Sequence, residues 1–230
     1  PTDNPNVRRA LALAVDRKTL TKKITRGGEM PAYAFVPPGV AGYESPRWTG
    51  FDPAAARRFL SKAGYPGGKG FPELCLLYNT NKFHENIARF IKSMWETHLG
   101  IRIALKNREW KTFLSTTSSL EYEISRGGWY GDYLHPLTFL DIMRTGDGNN
   151  RTGWGRPDYD RLLRKAKMSP DREARLGCMQ QAEAVLEKEQ PVVPLFFYMS
   201  QFMYRKEVKG IYRNPRGIIM LRDVHLSGSH

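Results

Sequence analysis

The stretch LCLLYNTNKFHENIARFIKSMWETHLGIRIALKNREWKTFLSTTSSLEYEIS, residues 74–125, changes period twice, and that change decides the fold. Residues 74–78 are apolar and short, as a buried strand is. Residues 83–98 then place Ile87, Phe90, Ile91, Met94 and Trp95 at helical spacing, and Gly100 closes that run. A second apolar run follows over 101–105, a short helix over 109–116, and a third strand over 122–125. Strand, helix, strand, helix, strand predicts a parallel three-stranded core with right-handed crossovers.

Working outward, residues 6–25 carry Val7, Ala10, Leu11, Ala14, Val15, Leu20 and Ile24 at helical spacing, and read as one helix stopped by Gly27 and Gly28. Residues 31–50 hold Pro37, Pro38, Gly39, Gly42 and Pro46 and predict an ordered, irregular loop. Asp52 and Pro53 give a cap and a first-turn proline for a helix ending at Gly64. On the carboxyl side, helices are expected near 136–144, 157–168 and 171–189, followed by an apolar strand over 192–199. Short strand-like pieces are expected around Lys209 and Gly210 and around Pro215, Arg216 and Gly217. Residues 227–230 read as a loose tail or a cloning scar.

The chain has 230 residues, 40% of them hydrophobic, which excludes a disordered segment and suffices for a buried core. No apolar run approaches the roughly 18 to 20 residues that span a bilayer. The first residues lack the basic-then-apolar layout of a signal peptide, and a leader removed before Pro1 stays open because the chain does not begin with Met. Thirty-six Lys and Arg against 23 Asp and Glu give a net charge of +13, which raises nucleic acid as a partner. The basic residues are spread over nearly every expected helix among acids such as Asp16, Glu85, Asp160 and Glu173, so the charge reads as a solvated surface and argues against nucleic acid. Cys75 and Cys178 form neither a disulfide framework nor a CxxC pair, and both read as buried inert thiols.

In an open parallel sheet, ligands bind beyond the carboxyl ends of the strands. Those places here hold Asn79, Thr80, Asn81 and His84, then Asn107 and Trp110, then Arg126, Gly127, Gly128, Trp129, Gly131, Asp132 and Tyr133. A carboxylate there can pair with an ammonium, and Arg126 or His84 with a carboxylate, which describes a site for an elongated zwitterion such as a free peptide. The glycines would bring backbone N–H and C=O groups to a peptide main chain, and Trp110 and Trp129 would wall the space between. Bland roles compete with each of these: His84 as a surface or capping residue, a lone Trp as core, Asp132 as a turn residue.

Catalysis has no anchor. The sequence contains no HExxH, GxSxG or GxxxxGK[ST] motif and no His/Cys cluster with metal spacing, so no metal and no cofactor are expected and the chain reads as a non-enzyme. The glycines over 64–70 lead into a strand instead of a helix, which spoils a phosphate loop.

Longer runs carry a resemblance: Asn6-Val7-Arg8-Arg9-Ala10-Leu11-Ala12-Leu13-Ala14-Val15-Asp16-Arg17, Lys62-Ala63-Gly64-Tyr65, Leu77-Tyr78-Asn79-Thr80, Glu109-Trp110-Lys111-Thr112-Phe113-Leu114, Gly128-Trp129-Tyr130-Gly131-Asp132-Tyr133, and Ala182-Glu183 ahead of Pro191-Val192-Val193-Pro194-Leu195. Over most of residues 5–220 the chain resembles the C-terminal lobe of the bacterial extracellular solute-binding proteins of oligopeptide and dipeptide ABC transporters. The resemblance implies an α/β, periplasmic-binding-protein-like single lobe with a short, mostly parallel sheet flanked by helices. It implies that Asp132 takes a peptide's α-ammonium, that Arg126 and His84 meet the carboxylate end, and that Trp110, Trp129 and Tyr198 line side-chain pockets. It implies a ligand-binding lobe over 1–207 and a segment over 208–226 that returns to another lobe, here missing. Short peptides, the missing N-terminal lobe or a partner chain, and a membrane ABC permease are the expected partners, in a periplasmic or extracellular setting with a lipid anchor on the full-length protein. The rival reading is a single-lobe module that pairs with a protein partner and transports nothing.

Overall fold

A computed structural model describes residues 1–213 and 218–227 of the chain. Strand β2 (Leu74–Asn79) runs in the middle of a three-stranded sheet, between β3 (Ile103–Arg108) and β4 (Ile124–Ser125), in the order β3-β2-β4. Both pairings are parallel, with Leu74 opposite Ile103, Asn79 opposite Arg108, and Leu76 opposite Ile124. The crossovers are α4 (Lys82–Leu99) and α5 (Trp110–Ser118), as the alternating periods predict. Helix α4 starts because Asn81 caps it, its Oδ1 accepting from the N–H groups of Phe83 and His84, and stops at Gly100 with φ +70°. Strand β3 begins two residues later and ends three residues later than its apolar run. At the sheet edge the ladder continues through the polar Lys106, Asn107 and Arg108 because backbone pairing does not require apolar side chains.

Two cores hold the chain together. One joins α1 (Pro5–Leu13) and α3 (Pro53–Lys62) to the sheet and α4, with Val7, Leu11, Leu60, Leu76, Ile87, Trp95 and Ile103 buried in it. The other joins the irregular 35–48 loop to α6 (Leu137–Leu140), α7 (Pro157–Met168) and α8 (Arg172–Glu189) around Trp48, Tyr159, Leu163, Met179 and Leu186. Cys178 is buried in the second core, whereas Cys75 on β2 is only half-buried; burial pushes its thiol pKa up.

The expected helix over 6–25 is broken. It ends at Leu13, resumes as α2 (Arg17–Thr19) and continues as a π-helical turn over Leu20–Thr25. Asp16 makes the break: in extended conformation, its carboxylate accepts from the N–H groups of Lys18 and Thr19 and from the Thr19 hydroxyl. Arg17 is thereby turned inward, 2% exposed, and donates to the carbonyls of Pro194 (2.7 Å), Ala12 (3.3 Å) and Val15 (3.5 Å). Burial lowers its guanidinium pKa to about 10.

The expected strand over 192–199 shrinks to β5 (Phe196–Phe197), antiparallel to β1 (Met30–Pro31). Pro191 and Pro194 have no N–H to give to a ladder, and the Pro194 carbonyl is taken by Arg17. The helix expected over 136–144 is the single turn α6 followed by a 3₁₀ turn over Asp141–Met143. Beyond residue 205 the chain forms a narrow ribbon, β6 (Val208–Lys209) on β9 (His225–Leu226) and β7 (Tyr212–Arg213) on β8 (Ile219–Met220). The piece expected around Pro215, Arg216 and Gly217 and most of the expected 227–230 tail lie outside the described residues.

A buried carboxylate shapes the irregular loop. Glu183, on α8 and 0% exposed, accepts from the N–H groups of Phe35 (2.6 Å) and Val36 (3.2 Å) and from the Tyr43 hydroxyl (2.9 Å).

Candidate functional site

The site is built at the carboxyl end of β2. The N–H of Arg126 donates to the Leu77 carbonyl at 2.8 Å, one residue beyond the β4 pairing, and this fixes Arg126 at the mouth of the sheet. His84 stands in the first turn of α4, three residues past the Asn81 cap that ends the connection from β2. From the other direction, Tyr198 follows β5. The Arg126 guanidinium donates to the Tyr198 hydroxyl, and its Cζ lies 5.9 Å from that ring's centroid. Among the described residues no carboxylate lies within ion-pair distance of Arg126.

A run of rings supports this tyrosine. Phe83 meets Phe196 edge-on at 6.2 Å, Phe196 meets Tyr198 edge-on at 5.2 Å, and Tyr130 stacks on Tyr198 at 5.2 Å with 18° between the planes. Gly128 lies under the same ring: a Cβ there would come within 3.3 Å of Tyr198 Cε2 and of its hydroxyl oxygen. A glycine is thus what lets the loop approach.

Electrostatics divide the roles of the two basic groups. Burial, and then the Arg126 charge beside it, lower the His84 pKa to about 4, with the Asn79 backbone pulling the other way. At neutral pH His84 is an uncharged ring, and Arg126 is the cation. His84 Nδ1 and Asn79 Oδ1 are both buried without a hydrogen-bond partner among the described residues, an unusual state for polar atoms.

The Arg126–Tyr133 loop is pinned from below by α6. Trp129 Nε1 donates to the Thr138 carbonyl and the Asp132 N–H to the Thr138 hydroxyl, both at 2.8 Å. A Cβ on Gly131 would fall 2.9 Å from Thr138 Cγ2. These contacts leave the Asp132 side chain exposed and half-bury Trp129. Trp110 opens α5 beyond β3, stacks on Phe113 at 5.9 Å and is exposed.

The structure therefore brings Arg126, His84, Tyr198 and Gly128 together, carries Trp129 and Asp132 on the adjoining loop, and sets Trp110 at the end of the neighbouring strand. Tyr130 and Thr138 are additional members that strand-end reasoning missed. An aromatic beside Trp129 in a glycine-rich loop is a usable sequence signal for Tyr130; Thr138 gives none, since its role depends on how α6 meets the loop. Two open depressions, of about 440 and 480 Å³, lie along α4 around Arg89, and none of these site residues lines them. Among the described residues no cluster of His, Cys, Asp and Glu fits a metal ion, and no helix is long and apolar enough to cross a membrane.

Comparison with known proteins meets this geometry. Residues 1–151 match the family model of bacterial extracellular solute-binding proteins, family 5 middle. The chain is 34% identical to the oligopeptide-binding protein OppA of Bacillus subtilis, over 98% of its own length and 43% of that protein's. It matches the crystal structure of a periplasmic oligopeptide-binding protein/oligopeptide ABC transporter (OppAIV) from Borrelia burgdorferi with a TM-score of 0.88 and 34% identity, over 98% of this chain and 46% of that one. It matches Haemophilus influenzae OppA in complex with RPPGFSPFR with a TM-score of 0.87 and 30% identity, over 99% and 46%. The chain thus spans less than half the length of these relatives. Their fold is the periplasmic-binding-protein fold, and theirs is a class of solute-binding proteins, not of enzymes. With sequence, family model and fold in agreement, this chain belongs to the bacterial extracellular solute-binding proteins of family 5.

Proposed function

We propose that the chain is a ligand-binding lobe of an ABC-transporter solute-binding protein, and that it captures short peptides by their charged termini and backbone for uptake. The observation that carries this reading is Arg126, a cation without a carboxylate partner among the described residues, held by Tyr198 at the carboxyl end of a parallel sheet. A peptide carboxylate supplies the missing anion: the guanidinium and the Tyr198 hydroxyl donate to it, and neutral His84 offers a further polar contact. At the other end of the peptide the exposed Asp132 carboxylate takes the α-ammonium. Gly127 and Gly128 leave backbone groups open to the peptide main chain, and Trp110, Trp129 and Tyr198 line the space for its side chains. None of these roles needs bond-breaking chemistry, and the chain is read as a binder and not an enzyme.

In this reading residues 1–207 form the lobe and residues 208–226 belong against a second lobe. Leu221 and Leu226, each 74% exposed on the ribbon, favour a protein surface that covers them, whether an N-terminal lobe of the same protein or another chain. An ABC permease and a periplasmic or lipid-anchored extracellular location complete the proposal.

Calorimetry with tri- to pentapeptides, free and N-acetylated, tests the reading. Acetylation deletes the ammonium, and losing one charge-assisted hydrogen bond of about 1.5 to 3 kcal/mol weakens binding about tenfold or more. Equal binding of both sets overturns the Asp132 role, and no binding by any peptide overturns the proposal.

A further inference from the structure

The rings beside Arg126 form a graded series from core to solvent. Phe83 packs against the first core, Phe196 and Tyr198 follow, and Tyr130 ends the series 70% exposed. One face of Tyr130 is occupied by Tyr198; the other is open. A stacked ring with an open face is costly to leave in water and gains from a flat apolar partner.

Its position gives the open face a meaning. Tyr130 stacks at 5.2 Å on Tyr198, whose hydroxyl accepts from the Arg126 guanidinium, so the open face and the cation belong to one cluster. The group that sits on Tyr130 is therefore bonded close to the group that meets Arg126. In a peptide those two are the side chain and the carboxylate of the last residue.

We infer that Tyr130 determines specificity, and that the preferred ligands are peptides whose carboxyl-terminal residue is aromatic, its ring laid on Tyr130 while its carboxylate meets Arg126. This rests on the peptide-binding reading and goes beyond it by naming the ligand class. Tyr198 lines the same space but offers no open face for stacking, because its ring already carries Tyr130, Phe196 and the Arg126 guanidinium. Gly128 keeps the series in place by admitting Tyr198 to within contact of the loop backbone.

The test compares Ala-Ala-Phe with Ala-Ala-Ala by calorimetry on the full chain and on Tyr130→Ala and Tyr130→Phe. One aromatic pair is worth about 0.5 to 1.5 kcal/mol, so the phenylalanine peptide is expected to bind about 2- to 12-fold tighter. The ratio is expected to fall to about one in Tyr130→Ala and to persist in Tyr130→Phe, which keeps the ring. Because the readout is a ratio, general damage to the lobe does not imitate it. Equal affinities in the unmodified chain, or an unchanged ratio in Tyr130→Ala, overturn the inference while peptide binding itself stands. Failure of both peptides to bind the unmodified chain overturns the peptide reading, and this inference with it.

Discussion

Arg126 and Tyr198 lie 72 residues apart in sequence, yet the guanidinium of the first donates to the hydroxyl of the second and rests over its ring. A hydroxyl that accepts from an arginine has its own proton left to donate, so the pair presents N–H and O–H donors to one anion. Arg126→Gln removes the charge and keeps a polar side chain. It is expected to weaken binding of free-carboxylate peptides about tenfold or more and to abolish their advantage over the same peptides amidated at the C-terminus. Tyr198→Phe keeps the cation and the ring, and is expected to lower affinity several-fold while the acid-over-amide preference survives. Calorimetry on both variants measures the two effects; a preference that survives Arg126→Gln shows that the carboxylate is held elsewhere.

His84 makes a pH prediction with a definite sign. Its pKa in the folded chain is about 4 against an ordinary value of 6.5, because burial and the neighbouring Arg126 charge both disfavour the imidazolium. The unfolded chain therefore binds the proton first, so this group's contribution to stability is present above pH 6.5 and is lost as pH falls toward 4. The ring is partly exposed, which keeps the effect small. His84→Gln is expected to flatten that limb of the stability profile, measured by urea denaturation between pH 4 and 7. NMR titration of the His84 ring gives the more direct reading: a midpoint near 4 in the free chain, moving up in Arg126→Gln and when a carboxylate-bearing peptide neutralises Arg126. A midpoint near 6.5 in the free chain contradicts the placement of Arg126 beside it.

Much of this site was legible because strand-end position is a local property. The alternation over residues 74–125 places Asn79, His84 and Arg126 at the mouth of a parallel sheet without any knowledge of tertiary contacts, and the structure puts Arg126 one residue past the β4 pairing. What binds them together was not legible. By periodicity Tyr198 reads as one residue of an apolar strand, and only the family resemblance names it; the two prolines before it, together with the demand of the buried Arg17 for the Pro194 carbonyl, turn that stretch into a two-residue strand with Tyr198 beyond its end. The break after Leu13 has the same character. Apolar periodicity runs straight through it, whereas the competing hydrogen bonds come from the Asp16 side chain. Glu183 is the extreme case, since a glutamate within a helical pattern carries no signal that its carboxylate is fully buried.

That glutamate yields the last prediction. Its carboxylate joins α8 to the irregular loop through the N–H groups of Phe35 and Val36 and the hydroxyl of Tyr43, and burial pushes its pKa above the ordinary carboxylate range while these hydrogen bonds pull it down. Glu183→Ala leaves buried donors unpaired and opens a cavity beside Tyr43, and is expected to cost about 3 to 5 kcal/mol. Glu183→Gln keeps one oxygen for the two backbone N–H groups but sets its N–H₂ against the Tyr43 hydroxyl, which must turn from donor to acceptor, so it is expected to cost about 1 to 3 kcal/mol. The second core, where Trp48 and Tyr43 from this loop pack with α7 and α8, is expected to lose protection from amide hydrogen exchange ahead of the sheet core in both variants. Urea denaturation gives the free energies and exchange gives the location. A Glu183→Ala variant as stable as the parent chain, with the 35–48 loop equally protected, removes the tether role assigned to this carboxylate.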